Sequence, residues 1–356
     1  LSNLDKPFEF HSFSGTFSDI GQQYGEVCRE DIKKHIDLAI NYLSNKSDEA
    51  NDENLRKIAL DYQKYVVKYT PFFDELIIGL SKGARIELWE AYLLQLRAEV
   101  NKKIDSYSHE CTTFTVLSEK NYEENIIAQN VDLPDYYKKM FKVIEYIPDG
   151  FPRILMLAPV GQISHIGINE FGLGVAGNFI ATSGWKEGLP RYLFSGLALT
   201  KNNITDVRNS LNSIERASSR NLMVLQGSEA INLEILPSTI GELYPEKNVI
   251  VHTNHIVNDT LKSFEMKKGE DLLNSNIRRE KAEKLIYENI KNFDITKAQS
   301  VLKDRSDEPH SICRLSQDFG EGKTVASFIS QPSKGEIWVS SGPPTLNKYF
   351  KYTFTK

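Results

Sequence analysis

Cys111 sits where the texture of the 356-residue chain changes. From there the run Cys111-Thr112-Thr113-Phe114-Thr115-Val116-Leu117 is rich in β-branched and aromatic residues and has no helical period, which predicts a strand. A thiol at the edge of a rigid sheet, near helical chain that could be displaced, is placed to attack a carbonyl carbon. Alone, the same residue also reads as a small buried hydrophobe, because free cysteine is among the most buried residue types. Cys28, beside the apolar face of the first helix, and Cys313, among apolar neighbours, read as core packing. Three cysteines without CxxC spacing make no disulfide framework. The seven histidines are scattered and include no HExxH pair, so neither a metal nor another cofactor is expected.

Other polar residues could serve a carbonyl under attack. Asn254 ends an apolar strand that buries Val249 and Val251. Its amide N–H could point at a tetrahedral oxyanion, a contribution of about 2.7–4 kcal/mol in comparable sites, or it could simply close a turn. His255 could be a base for the thiol or a structural hydrogen-bond donor. Arg314 offers a planar fork to a substrate carboxylate or to Asp132, and suits a buried structural ion pair equally well. Asp132, in the stretch Asp132-Leu133-Pro134-Asp135, is also a residue type that bonds its own turn backbone. Gly172, Gly174 and Gly177 with Asn178 match neither a P-loop nor a dinucleotide fingerprint and read as hairpin residues. The lysine- and arginine-bearing stretches 262–268 and 278–284 are interspersed with acids and read as a solvated helical face.

The elements that must carry these residues fall into two blocks. From Ser18, a plausible N-cap, Ile20, Tyr24, Val27, Ile32, Ile36, Ala39 and Leu43 recur at helical spacing. A polar loop over 45–53 precedes helical patterns through 55–69, 73–80 and 86–100, with Pro71 marking a break. Beyond Cys111 a polar turn and a strand at 125–130 complete a hairpin. Further strands are predicted at 154–157, 162–168, 173–176, 221–225, 231–236, 249–253, 324–329 and 336–339, several joined by short turns at 226–229 and 332–335. Helices interrupt them at 191–200, 205–214, 277–290 and 296–302. Hairpins with helices inserted in blocks predict an α+β layered sheet rather than a doubly wound fold. No repeat, low-complexity segment or linker divides the chain.

The bulk composition narrows the partners. A hydrophobic share of 40% and a charged share of 26% describe a globular chain able to bury a core. The net charge of -5 provides no basic stripe for a phosphate backbone, so nucleic acid is not an expected partner. No stretch approaches the length of a membrane span, and the first ten residues lack a signal-peptide layout. Cytoplasmic residence is the default expectation, with an upstream signal left open because residue 1 is not Met.

Six segments in order give the chain a specific likeness. Gly15-Thr16-Phe17-Ser18-Asp19-Ile20-Gly21-Gln22-Gln23-Tyr24-Gly25-Glu26, Cys111-Thr112-Thr113-Phe114, Gln129-Asn130-Val131-Asp132, the run from Gly167 to Val175 with Asn178, His252-Thr253-Asn254-His255, and Ser311-Ile312-Cys313-Arg314 resemble the isopenicillin N acyltransferase family of N-terminal-nucleophile hydrolases. The resemblance implies a four-layer αββα sandwich over residues 1–356. It implies self-cleavage between Glu110 and Cys111 into a mainly helical fragment 1–110 and a fragment 111–356, and a Cys111 whose own α-amino group is the base. A free thiol titrates near 8.5 and an α-amino group at about 7.7–8.0, so that amine can take the thiol proton near neutral pH. His255 is then expected to be structural. By the same analogy Asp132 holds the new amino group or the pocket's hydrogen bonds, with Asn254 and Arg314 completing the catalytic set. The partners implied are a small acylated amine or amino-acid conjugate, possible β-lactam-like compounds, an acyl-CoA or amine acceptor, and the protein's own cleaved fragment. Many relatives carry a small residue before the cysteine. Glu110 is bulky and charged, and its side chain could slow the strained geometry of the cut, or Glu110 or His109 could assist proton transfer. Two rivals stand beside this reading: an uncut enzyme pairing Cys111 with His255 or His252, and a non-catalytic binding protein on the same scaffold.

Overall fold

Thr16 joins strand β1 (Phe10–Gly15) to helix α1 (Phe17–Val27) as the helix N-cap. Its Oγ1 accepts the Asp19 N–H at 3.2 Å and the Asp19 carboxylate accepts the Thr16 N–H at 3.1 Å, a reciprocal capping box two residues before the expected cap at Ser18. The computed structural model describes residues 6–96, 99–100, 110–320 and 322–356. Cys28 leaves helical geometry, so the first amphipathic run is two helices, α1 and α2 (Arg29–Ser44). Three more follow, α3 (Asp52–Tyr69), α4 (Pro71–Ala84) and α5 (Leu88–Leu93), with Pro71 in the first turn of α4, where its missing N–H costs nothing. Gly21 and Gly25 of the opening segment are explained by the crossing of α1 and α4, whereas Gly15 takes a positive φ beside Asp19. A Cβ on Gly21 would lie 2.1 Å from the Leu76 carbonyl oxygen, and one on Gly83 2.1 Å from that of Gln22, so the two backbones touch.

The remaining strands are β2 (Glu110–Val116), β3 (Ile126–Leu133), β4 (Phe141–Pro148), β5 (Ile154–Pro159), β6 (Ile166–Asn169), β7 (Leu173–Asn178), β8 (Arg220–Gln226), β9 (Glu229–Ile235), β10 (Ile240–Leu243), β11 (Val249–His252), β12 (Lys323–Gln331), β13 (Glu336–Ser340) and β14 (Tyr349–Thr353). They form an eight-stranded sheet ordered β1-β4-β5-β6-β7-β8-β9-β10 and a six-stranded sheet ordered β11-β2-β3-β12-β13-β14. The β1–β4 pair is parallel and the other pairs are antiparallel. The two sheets pack face to face through β2 and β3 against β7 and β8, around Ile127, Ala176, Met223, Leu225 and Ile250. Helices α1, α6 (Tyr192–Leu199) and α7 (Ile204–Asn212) cover the outside of the larger sheet, and α8 (Gly269–Glu288) and α9 (Ile295–Leu302) the outside of the smaller. This is the four-layer αββα, α+β architecture that the sequence implied. Among the described residues no helix is long and apolar enough to cross a membrane.

Candidate active site

Strand alternation divides the start of β2 between two environments. Glu110, Thr112 and Phe114 face α8, whereas Cys111, Thr113 and Thr115 face the space between the sheets. Cys111 is held at both ends of its backbone. Its N–H donates to Asn254 Oδ1 at 2.8 Å, and its carbonyl accepts from Arg278 at 2.8 Å and, more loosely, from Asn178 Nδ2 at 3.4 Å. Asn254 Oδ1 also accepts from Arg278 at 3.0 Å, so two donors fix the amide's orientation and leave Nδ2 to donate to the Phe179 carbonyl at 2.9 Å. Ser275 Oγ anchors the Asn254 N–H at 2.8 Å.

The Cys111 side chain is buried, with 5% exposure. Burial first, then the charge of Asp132, pushes its thiol up to about 11, against hydrogen bonds from the Asp132 backbone and the Gln129 side chain and the charge of Arg278. In the continuous chain it is therefore a neutral thiol at pH 7. Gln129 is itself pinned across the sheets, donating to the Gly177 carbonyl and accepting from the Gly177 N–H, both at 2.8 Å.

Glu110 has the densest charge environment of the described residues around Cys111. Its Oε1 accepts from Lys267 at 3.0 Å, and its Oε2 from Asn274 at 2.5 Å, from Arg314 at 2.8 Å and from Arg278. Burial raises the carboxyl's pKa, but the charges of Arg278, Lys267 and Arg314 outweigh it and hold Glu110 down at about 2. Asp132 lies opposite Glu110 in the β2–β3 register and is fully buried. Its Oδ1 accepts from Thr324 Oγ1 at 2.7 Å, while Oδ2 has no hydrogen-bond partner among the described residues. Burial raises it to about 6 despite Arg314 and Arg278.

Of the sequence-derived candidates, Cys111, Glu110, Asp132, Asn254 and Arg314 converge, and His109 lies outside the described residues. Arg314 pairs with Glu110 rather than through a hydrogen bond to Asp132, and donates as well to the Gly322 and Phe319 carbonyls. The two histidines are committed elsewhere. His252 bonds Glu234 at 2.8 Å and the Thr253 carbonyl at 2.9 Å, and His255 bonds Ser275 at 2.8 Å, with burial holding His255 down at about 3. Cys28 and Cys313 are buried, as core packing requires.

Lys267, Asn274 and Arg278 escaped the sequence reading, which placed the stretches holding Lys267 and Arg278 on a solvated face and did not single out Asn274. They are buried instead. The signal was present as Asn274, Arg278, Ala282 and Ile286, every fourth residue of α8, a stripe that begins polar beside Glu110 and ends apolar under the sheet. A cleft of about 720 Å³ between Val116 and Lys120, Asn292 and Lys334 lies at the far end of β2 from Cys111.

Comparison with known proteins places the chain in a family. The family model for acyl-coenzyme A:6-aminopenicillanic acid acyl-transferase matches residues 118–345. The chain is 28% identical over 321 residues to the acyl-coenzyme A:6-aminopenicillanic-acid-acyltransferase 40 kDa form of Emericella nidulans, covering 88% of this chain and 86% of that one. Solved structures with a looser likeness include a variant of conjugated bile acid hydrolase from Clostridium perfringens, 16% identical with a TM-score of 0.48 over 69% of this chain and 98% of that one. Penicillin V acylase from Agrobacterium tumefaciens is 15% identical, with a TM-score of 0.47 over 69% of this chain and 87% of that one. Because the family model spans well over half of the sequence, this chain belongs to the acyl-coenzyme A:6-aminopenicillanic acid acyl-transferase family, an enzyme family of the acyltransferase and amidohydrolase type.

Proposed function

We propose that Cys111 is the nucleophile of a self-processing enzyme that takes an acyl group from an amide or thioester and passes it to water or an amine. The observation that carries this reading is the preparation of the Cys111 backbone nitrogen. It rests on Asn254 Oδ1 at 2.8 Å, in a pocket that also places Arg278 on the Cys111 carbonyl. A structural strand residue has no need of such a cradle.

Self-cleavage begins with Cys111 Sγ attacking the Glu110 carbonyl carbon. The C–N bond breaks, the nitrogen gains a proton and becomes the α-amino group, and a thioester joins Glu110 to Cys111. Water then hydrolyses the thioester, leaving a carboxylate on Glu110 and a free thiol on Cys111. The clamp of Lys267, Asn274, Arg278 and Arg314 supports this step by fixing the residue whose carbonyl is attacked and by supplying positive charge near the developing oxyanion. The products are fragments 1–110 and 111–356, packed as one unit.

In the processed enzyme the α-amino group of Cys111 sits on Asn254 and beside the Arg278 guanidinium. A neighbouring cation lowers an amine's pKa, which keeps the nitrogen neutral and able to accept the thiol proton at pH 7. Sγ attacks the substrate carbonyl, the ammonium returns its proton to the leaving group, and the acyl thioester forms. Water or an acceptor amine then attacks with the same nitrogen as base. The second hydrogen on Asn254 Nδ2 is the oxyanion donor, Asp132 holds the amine side of the pocket, and Arg314 holds Glu110 through the cut. Small acylated amines and amino-acid conjugates, with an acyl-CoA or amine as second substrate, fit the family's chemistry. The engagement of both His252 ring nitrogens and the low pKa of His255 weigh against the uncut cysteine–histidine alternative.

Intact mass and amino-terminal sequencing of the purified protein test the proposal. The expected result is two chains, one beginning at Cys111, and a single uncut chain for Cys111→Ala. Full activity from a protein that remains one polypeptide would sink self-processing.

A further inference from the structure

The Asn254 side chain extends a sheet ladder that the backbone leaves off. Strand β11 pairs with β2 from Val249 with Val116 to His252 with Thr113. Past His252 the chain bends away, and Asn254 Oδ1 accepts the Cys111 N–H at 2.8 Å in place of a strand carbonyl. That contact is only as precise as the bend, residues 252–258, that carries it.

Glu234, on β9 of the larger sheet, holds both ends of the bend. Its Oε1 is bonded to His252 Nε2 at 2.8 Å and accepts the Val257 N–H at 2.6 Å, and its Oε2 accepts the Asn258 N–H at 3.1 Å. Glu234, His252 and Asn254 are all fully buried. The middle of the bend is anchored from outside, where Ser275 Oγ accepts the Asn254 N–H at 2.8 Å and Glu265 accepts the Ile256 N–H at 2.6 Å. Burying a carboxylate is costly unless its oxygens are fully engaged, and a bend that needed only to be closed could satisfy its N–H groups with carbonyls or water. Here both oxygens accept backbone N–H groups, which fixes the curvature of the chain between them. An amide could not do the same. Glutamine offers one acceptor oxygen, so its NH2 would face either the Val257 or the Asn258 N–H.

We propose that Glu234 is a positioning residue, which sets the Asn254 side chain against the Cys111 nitrogen by drawing together the two ends of the 252–258 bend. Among the described residues no hydrogen bond joins Glu234 to Cys111, so its effect passes through the bend. The consequence for catalysis rests on Cys111 being the nucleophile, whereas the consequence for geometry does not.

The geometry is tested at the residue 111 amide of Cys111→Ala protein, which keeps that N–H within one uncut chain. Carbonyl-13C glutamate with 15N alanine selects the 110–111, 49–50, 90–91 and 229–230 pairs in an HNCO spectrum. Adding Glu234→Gln is expected to speed hydrogen exchange at residue 111 by at least about tenfold, while the Ala91 and Ala230 amides change by less than about twofold. That contrast separates a displaced Asn254 from a general loss of stability. Unchanged exchange at residue 111, or equal acceleration at all three amides, would overturn the proposal. Should Glu234→Gln fail to fold in a melting experiment, His252→Gln, which leaves both backbone bonds to the carboxylate, is judged by the same contrast. With Cys111 intact, Glu234→Gln is expected to slow acylation by S-phenylacetyl-N-acetylcysteamine, followed by intact mass, about tenfold in maximal rate, with the half-saturating concentration within about twofold. An unchanged maximal rate would remove Glu234 from the reaction. Failure of this thioester to label Cys111 in the unsubstituted protein refutes the nucleophile instead, and leaves amide exchange to decide the positioning.

Discussion

Glu110 is the residue at which side-chain chemistry departs furthest from a passive role. A carboxylate enclosed by Lys267, Arg278 and Arg314 is depressed from 4.5 to about 2, a gap worth about 3 kcal/mol. The sign follows from the depression. The contribution is complete above the unfolded value, and is lost as pH falls from about 4.5 through 2. In a Cys111→Ala background, which would prevent the proposed cut, Glu110→Gln is expected to lose about 3 kcal/mol in urea unfolding at pH 7, a difference that closes by pH 2. A constant difference across that window would contradict the clamp. Glu110→Gly is expected to slow self-cleavage, since it frees the carbonyl and leaves three buried cations facing Asp132. Asp132 runs the other way. Raised from 3.8 to about 6, it binds a proton in the fold that the unfolded chain has released, so its contribution is full below about 4 and is lost as pH rises through 6. Asp132→Asn is therefore expected to lose activity yet to flatten the fall in melting temperature between pH 4 and 7. A variant whose melting temperature falls as steeply as that of the wild type would refute this.

Elements place these residues, and their legibility depended on what each buries. The strand at Cys111 was readable because its β-branched residues alternate between two apolar layers. β4 was not, because Lys142 and Glu145 break its hydrophobic pattern. Both are buried, Lys142 against Glu9 at 2.5 Å and Asp31 at 2.7 Å, and Glu145 against Arg153 and Ser12. Glu9, Asp31 and Ser12 lie more than a hundred residues away in sequence and cannot be read from local composition. Arg278 stayed hidden for the same reason, since a basic residue among acids on a helix looks solvated until the carboxylate that faces it is known. The opening glycines were legible as a motif but not as a contact. Gly21 and Gly25 serve the α1–α4 crossing, far from the chemistry in role. Gly83→Ala drives a methyl group into the Gln22 carbonyl, with 2.1 Å to the nearest atom, and is expected to cost at least about 3 kcal/mol in denaturant unfolding. Gly150→Ala, at φ +75 with nothing within 4 Å, should cost only about 1–2 kcal/mol. Equal costs would mean that the crossing can relax, and that its glycines reflect turn geometry alone.

At the scale of the whole molecule, a cut at Glu110 would divide the chain without dividing its core. Strand β1 lies in the eight-stranded sheet as the parallel neighbour of β4, in register from Phe10 with Val143 to Gly15 with Pro148. Phe13, Tyr24, Phe73 and Tyr92 from one side of the cut share a continuous apolar cluster with Phe141, Tyr146 and Leu155 from the other. The two ends of the sequence meet as well, through Tyr352 OH on the Phe8 carbonyl at 2.8 Å and Ser341 Oγ on the Lys6 carbonyl at 2.7 Å. Separating the fragments would expose that cluster to water at about 25 cal/mol for each Å² of apolar surface, so dissociation would amount to unfolding. The processed protein is therefore expected to elute in size-exclusion chromatography as one species containing both chains at micromolar concentration, and to release fragment 1–110 only in the denaturant range where tryptophan fluorescence reports global unfolding. Release of the helical fragment in buffer, or well before that transition, would show that the shared core is not what holds the two chains together.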